Sequence, residues 1–561
     1  MRKHIATTFI HFALLFSTSL ALYAAPVVTV ISPKTGSNIG SPIYYEADAT
    51  SSGCTKGISA MRIYTSPGVA AFTTNGGHIE TFVKLSPGTY NTVVQAWDNC
   101  GAVAKTPVKI VVSVTAGVTV FLPSGASNTT PLHIAASAQN PACGISAMRI
   151  YTAPGVAPYT INSNQLDAFV TLSPGNYNLV AQAWDKCGHV YKASIAESVG
   201  TASDKYLYTA NNSFNTVSKF VITNGALKNP NGSQPPPQFP MPELPSLLGA
   251  DPSGHFLYVL SDAHIFPFQV DRSTGNLFSV AGSLALTGKG LNGVSVDPAG
   301  HFLYLSYFGS SDIASYQINR SSGALTLVGT VPAGSSTANT IIGPTALTTD
   351  VTGQFVYASV ASNTLAPPAQ VQGFKVDSNT GKLQSLSGAT KTISGSESAG
   401  TIVTSGKYLY VDYSTSQSSL VQGYTIASNG SLTAISGSPF QANVSMGDWF
   451  GRFALSSGAD NNFPPDGFLS TYKIVPATGA LGAPTETPTG HDIYFQLVED
   501  HSGQFVYGGG EDCSGCTEGT NFPPGVVASW RVDSSGKPTS LSGPISSGDP
   551  NWPPNAIAVT R

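Results

Sequence analysis

Asp297-Pro-Ala-Gly-His-Phe-Leu-Tyr304 decides the fold of the longer part of the chain, because its core text keeps returning. The stretch runs from a glycine through an aromatic residue to a tyrosine and opens a strand. It recurs as Gly254-His-Phe-Leu-Tyr258, Gly353-Gln-Phe-Val-Tyr357, Gly406-Lys-Tyr-Leu-Tyr410 and Gly503-Gln-Phe-Val-Tyr507. Lys205-Tyr-Leu-Tyr208 and Gly451-Arg-Phe-Ala-Leu455 are weaker copies, which makes seven. The copies lie about 50 residues apart, the spacing of propeller blades.

A second marker has the same period. A strand, a hairpin glycine and another apolar strand, as in Phe268-Gln-Val-Asp-Arg-Ser-Thr-Gly275-Asn-Leu277, recur around Gly225, Gly323, Gly381, Gly430, Gly479 and Gly536. Two markers that agree on seven copies predict a seven-bladed β-propeller of four-stranded blades over residues 201–561. Each blade begins with an inner strand ahead of its marker, but the first blade has none. Asn555-Ala-Ile-Ala-Val-Thr-Arg561 is such a strand with no blade after it, so it is expected to close the ring in the first blade.

Upstream lies a different duplication. Gly57-Ile-Ser-Ala-Met-Arg-Ile-Tyr-Thr65 returns as Gly144-Ile-Ser-Ala-Met-Arg-Ile-Tyr-Thr152, an interval of 87 from residue 57 to residue 144. Gln95-Ala-Trp-Asp98 returns likewise as Gln182-Ala-Trp-Asp185. Short alternating runs rich in Val, Ile, Thr and Tyr, broken by Pro-Gly and Ser-Gly, predict two antiparallel β-sandwiches over 26–113 and 115–199. Asp98 and Asp185 stand before tight turns and read as turn caps rather than Ca²⁺ ligands. Arg62 and Arg149 read as outward-facing or ion-paired strand residues.

Composition fits an all-β chain. Of 561 residues only 10% are charged, against 58 Gly and 39 Pro, and the net charge of -4 offers no basic field for nucleic acid. Arg2, Lys3 and His4 precede an apolar run from Phe12 to Leu22 and then Ala24 and Ala25, the pattern of a signal peptide over 1–24. No apolar run downstream is long enough for a transmembrane helix. A secreted, periplasmic or cell-surface location follows, and six cysteines suit an oxidising compartment.

Each sandwich copy resembles the immunoglobulin-like modules of exported bacterial proteins, with a Pro-Gly-x-Tyr turn leading into a core strand that ends in Trp97 or Trp184. Each Trp precedes the second Cys by three residues, unlike antibody domains. Cys54 with Cys100, and Cys143 with Cys187, are therefore expected to staple loops at one end of each sandwich. The blade text, Asp-Pro-x-Gly-x-Phe-Leu-Tyr followed by Val-Asp-x-x-Thr-Gly-x-Leu (Val270 to Leu277, Val376 to Leu383), resembles the seven-bladed lactonase family, which includes 6-phosphogluconolactonases. That resemblance implies Arg, His and Glu at the channel mouth, where Arg polarises a lactone carbonyl and His or Glu activates water. The corresponding triplets are Pro245-Ser-Leu247, Leu291-Asn-Gly293, Pro344-Thr-Ala346, Glu397-Ser-Ala399, Ala442-Asn-Val444, Tyr494-Phe-Gln496 and Pro554-Asn-Ala556. None holds Arg or His.

The densest titratable group in the propeller is His491 and Asp492 with Glu499, Glu511 and Asp512, of which His491 and Glu511 are the candidates for acid/base work. Cys513-Ser-Gly-Cys516 reads as a local disulfide in a Gly-rich loop. Trp449, Phe463, Phe522 and Trp552, near long turn-rich insertions, are candidate aromatic platforms. No spacing suggests a metal site or a cofactor. The expected function is an extracellular binding or scaffold protein for a carbohydrate or cell-surface ligand. The alternatives are an extracellular hydrolase of an unphosphorylated lactone and a repeat-built surface assembly.

Overall fold

The computed structural model describes residues 24–122, 128–201, 204–211, 213–280, 282–336, 340–364, 367–396, 398–460, 464–516 and 523–561. The leader expected at 1–24 falls outside these residues except for Ala24, and so do Phe463, Phe522 and Glu397. Among the described residues there is no helix, and none therefore long and apolar enough to cross a membrane. The strands of the described residues form eleven sheets.

Four sheets belong to the duplicated region. In the first copy a three-stranded sheet (Val27–Ser32, Ile43–Thr50, His78–Val83) accompanies a five-stranded one built around Gly88–Asp98. The second copy repeats this with Gly117–Leu122, Leu132–Gln139 and Gln165–Val170 against a sheet around Gly175–Asp185. Apolar residues from both sheets of a copy form one core, such as Ile43, Tyr45 and Ala47 with Met61, Ile63 and Val94. The pairing is not wholly antiparallel. Ser37–Ile39 runs parallel to Ile110–Val112, and Asn128–Thr129 runs parallel to Val199–Gly200, because a short early strand crosses to the other sheet and enters beside its last strand.

Disulfides join Cys54 to Cys100, Cys143 to Cys187 and Cys513 to Cys516. Asp98 accepts N–H bonds from Cys100 and Ala102, and Asp185 from Cys187 and His189, so both cap the turn that carries the second cysteine. Arg62 lies over Tyr64 and Trp97, and Arg149 repeats this over Tyr151 and Trp184.

The other seven sheets each carry one copy of each marker. Their innermost strands touch in order around a ring, from Leu247–Ala250 through Asp492–Glu499 to Ala556–Thr560, which again touches Leu247–Ala250. Ala556–Thr560 pairs antiparallel with Tyr206–Asn211 and so supplies the inner strand of blade 1. This is a seven-bladed propeller.

The two markers are halves of one contact between blades. The hairpin glycine of each blade packs on the aromatic ring that opens the marker of the blade before it: Gly323 on Phe256, Gly381 on Phe302, Gly430 on Phe355, and around the ring to Gly225 on Phe505. At Gly323, φ is +70° and a Cβ would collide with the Phe256 ring, so both the turn and the packing require glycine. In three blades the tyrosine that ends the marker is buried and its hydroxyl reaches the same place. Tyr208, Tyr357 and Tyr410 donate to the carbonyls of Gly275, Gly430 and Gly479.

Candidate functional site

A blade strand leads from one face of the ring to the other, so a residue's place along it decides its face. Asp492 begins the inner strand of blade 7 and Glu499 ends it. At about 3.3 Å per residue they lie roughly 20 Å apart. The five titratable candidates therefore do not converge.

Glu499 sits at the end where the marker turns lie. It accepts the Trp449 N–H at 2.8 Å and faces Arg452 Nη2 at 3.5 Å. Burial, together with the neighbouring Asp448 carboxylate, raises Glu499 well above the usual carboxylate range. Trp449 stacks on His501 with ring centroids 6.0 Å apart. Both candidates are thus packing elements of the blade 6–blade 7 junction.

The other end of blade 7 gathers Asp492, Glu511 and Asp512. Asp492 pairs directly with Asp512, and Ile493 with Glu511, so strand alternation puts the two aspartates on one side of the sheet and Glu511 on the other. Burial and the opposing Asp512 push Asp492 up to about 6. Burial also raises Glu511. His491 turns to the blade 6 loop, with Nδ1 3.2 Å from Asp466 Oδ1 and 3.2 Å from the Pro465 carbonyl.

Trp552 belongs to this end. Asp512 N–H donates to the Pro524 carbonyl, Gly525 N–H to the Asp549 carbonyl, and Trp552 N–H to Asp549 Oδ1 at 3.2 Å. Asp549 is buried, while Trp552 is 48% exposed. An exposed indole is thereby fixed to the backbone that carries the carboxylates.

A denser cluster lies on the opposite face, where the three-stranded sheets of both sandwiches meet blades 2 and 3. Ile43–Thr50 supplies Glu46 and Asp48, and His78–Val83 supplies His78 and Glu80, with Asp48 paired to His78 and Glu46 to Glu80. The second sandwich adds His133, Asp167 and Phe169. The propeller answers with His255, Arg272, Arg320 and Ser321. Arg320 Nη2 lies 2.6 Å from Glu80 Oε1 and Nη1 3.7 Å from Asp167 Oδ1, and its guanidinium covers Phe169 at 4.8 Å. Ser321 Oγ donates to the Glu80 carbonyl at 2.6 Å and accepts the Glu80 N–H at 2.8 Å.

Burial works against the Glu80 anion, but Arg320 and hydrogen bonds from His133 and His78 outweigh it and hold Glu80 well below the usual range. For His133, burial is outweighed by Glu46 and by bonds to Asp167 and Glu80, which raise it to about 9. The last residue joins in: Arg561 Nη1 donates to the Pro131 carbonyl at 2.9 Å.

Sequence reasoning missed this seam. Its only trace is in the marker text, where histidine follows the marker glycine in blades 2 and 3 while the other copies have Lys, Gln or Arg.

Residues 284–397 match the family model described as Lactonase, 7-bladed beta-propeller. No curated protein matches the chain. A putative 6-phosphogluconolactonase of Bacteroides fragilis NCTC 9343 is 14% identical, with 64% of this chain and 99% of that chain covered at a TM-score of 0.45. A putative 6-phosphogluconolactonase of Bacteroides uniformis ATCC 8492 is 13% identical, covering 64% and 100% at 0.47. The periplasmic gluconolactonase PpgL of Pseudomonas aeruginosa is 15% identical, covering 64% and 99% at 0.45.

Proposed function

We propose that the chain is an exported binding protein, with two immunoglobulin-like modules over 26–113 and 115–199 fastened to one face of the propeller, and the opposite face open to a carbohydrate or cell-surface ligand. The observation that carries this reading is Trp552, an exposed indole tied through Gly525 and Asp549 to the strand end bearing Asp492, Glu511 and Asp512. An aromatic plane beside carboxylate acceptors suits a sugar, whose C–H face stacks on the ring while its hydroxyls donate to the oxygens. Disulfides support export.

The test is binding of the purified full chain to soluble glycans and cell-wall fractions. Trp552→Ala is expected to weaken binding about tenfold with unchanged circular dichroism. Failure of the wild-type chain to bind any fraction overturns the reading.

The lactonase model match over 284–397 favours a second reading, an extracellular lactone hydrolase. It expects turnover of an unphosphorylated sugar or aliphatic lactone that His491→Ala and Glu511→Gln each abolish. The chemistry at this end of blade 7 weighs against it, because a developing oxyanion calls for a cation or aimed N–H donors and the groups gathered there are carboxylates.

A further inference from the structure

The outer face of the second sandwich's five-stranded sheet carries polar side chains set abreast. On strands Ile145–Tyr151, Gly175–Asp185 and Val190–Gly200, Arg149 stands opposite Gln182 and Gln182 opposite Lys192. At about 4.8 Å per strand the two cations stand roughly 10 Å apart, with an amide between them. Tyr151 lies two residues beyond Arg149 on the same face, and Asn178 and Asn176 continue the line of Gln182 along its strand. Asn176, Asn178 and Lys192 are exposed.

These groups line a cleft of about 710 Å³, walled on one side by the hairpin tip 152–155. The tip stands clear because the hairpin ladder is short. In the first copy Val69–Asn75 pairs along Ile58–Ser66 as far as Val69 opposite Ser66. In the second only Tyr159–Ile161 pairs, next to Pro158, which brings no N–H to extend the ladder. Gly155 also lines a second cleft of about 450 Å³, which runs between this sandwich and blades 4 and 5 past Arg149, Gln354 and Lys407. One groove thus leads from the sheet to the ring.

Its chemistry is aromatic, amide and cationic. Both tyrosines of the first cleft are held in place: Arg149 Nη1 donates to Tyr151 Oη at 3.3 Å, and Tyr177 Oη donates to the Ser173 carbonyl at 2.7 Å. Rings fixed in this way lose little freedom when a ligand binds. Among the described residues no carboxylate lines the first cleft. The second holds Asp350, whose oxygens are taken by its own turn, Oδ1 by the Phe355 N–H at 2.8 Å and Oδ2 by the Thr352 N–H at 3.1 Å. Arg149, Lys192 and Lys407 therefore bring positive charge to the groove with no carboxylate paired to them among the described residues. A ligand that balances this charge is an anion.

We propose that the groove binds an acidic oligosaccharide, one whose sugar rings bear carboxylates. Pyranose C–H faces lie on Tyr151 and Tyr177, hydroxyls bond the planar amides of Asn178 and Gln182, and the carboxylates meet Lys192, Arg149 and Lys407. An acidic peptide would satisfy the cations and leave the rings and amides unused. The site lies on the sandwich side of the molecule, apart from the open face around Trp552, and neither reading depends on the other.

The experiment titrates the full chain by calorimetry with tetragalacturonate, and with cellotetraose and tetraglutamate as neutral and peptide counterparts. Tetragalacturonate is expected to bind, more weakly as salt rises, and the other two to bind about tenfold more weakly still. Lys192→Gln and Asn178→Ala change exposed side chains, so the fold should survive, and each should weaken tetragalacturonate about five- to tenfold. Lys105→Gln, at the same position of the first copy, and Trp552→Ala, on the other face of the ring, should leave its affinity unchanged. No binding of tetragalacturonate by the wild-type chain overturns the proposal. Equal binding of cellotetraose or tetraglutamate, unchanged affinity in both Lys192→Gln and Asn178→Ala, or a loss at Lys105→Gln equal to that at Lys192→Gln does the same.

Discussion

Arg320 Nη2 of blade 3 lies 2.6 Å from Glu80 Oε1 of the first sandwich, and the same guanidinium reaches Asp167 of the second. Glu80 and Asp167 stand at equivalent positions of the duplication, 87 residues apart from 80 to 167. One cation thus holds the same carboxylate position of both copies. With Arg320 side-chain exposure at 9% and Glu80 at 2%, solvent screens this pair little.

Removing the cation leaves two buried carboxylates with only their histidine partners, His78 and His133. Arg320→Met is expected to cost about 3–5 kcal/mol at the seam. The readout is a lower denaturant midpoint with earlier proteolytic release of the sandwiches. Adding Glu80→Gln should recover part of the loss, because one of the stranded charges is then gone.

Deletion of residues 551–561 removes the inner strand of blade 1 and exposes the edge of Tyr206–Asn211. The whole propeller should melt lower, and the truncated chain should associate through the open edge. Calorimetry with light scattering checks this, and unchanged melting would contradict the inner-strand role of Ala556–Thr560.

Asp492 gives a pH dependence whose sign can be worked out. Its folded value of about 6 lies above the ordinary carboxylate value near 3.9, so the folded chain binds this proton more tightly than the unfolded chain. The stabilising contribution is complete below about pH 4 and is lost as pH rises through about 6. Asp492→Asn should therefore raise Tm at pH 7.5 and leave it unchanged at pH 4.

The disulfides should differ in weight. Cys54–Cys100 and Cys143–Cys187 span 46 and 44 residues, and each is worth about 4 kcal/mol by chain entropy. Cys513–Cys516 spans 3 residues and constrains little. Serine pairs at the first two should each lower the melting of their sandwich by many degrees, and a serine pair at the third should be close to silent.

The propeller was legible because blade packing repeats a single contact. The glycine of Gly323 and the ring of Phe256 each leave a mark in the text, and both marks carry the period of the ring. The face on which a candidate sits was not legible from proximity in sequence. Asp492 and Glu499 look like neighbours on the page, but an extended strand separates them to opposite faces. The seam was hidden for a different reason. Glu80 meets Ser321 across 241 positions, and Gly77 meets Gln269 across 192, so nothing within a local window relates them. A charged residue on an exposed-looking strand, such as Asp48, reads as solvated until its partner surface is known.

Arg561 donates to Pro131 across 430 positions of chain. The propeller residues of the seam, Arg320, Ser321 and Arg561 among them, all follow both sandwiches in the chain, so each sandwich can fold before the surface it docks on is assembled. Joining the N-terminal modules to the ring is therefore a late step, taken between parts that have each formed a core of their own.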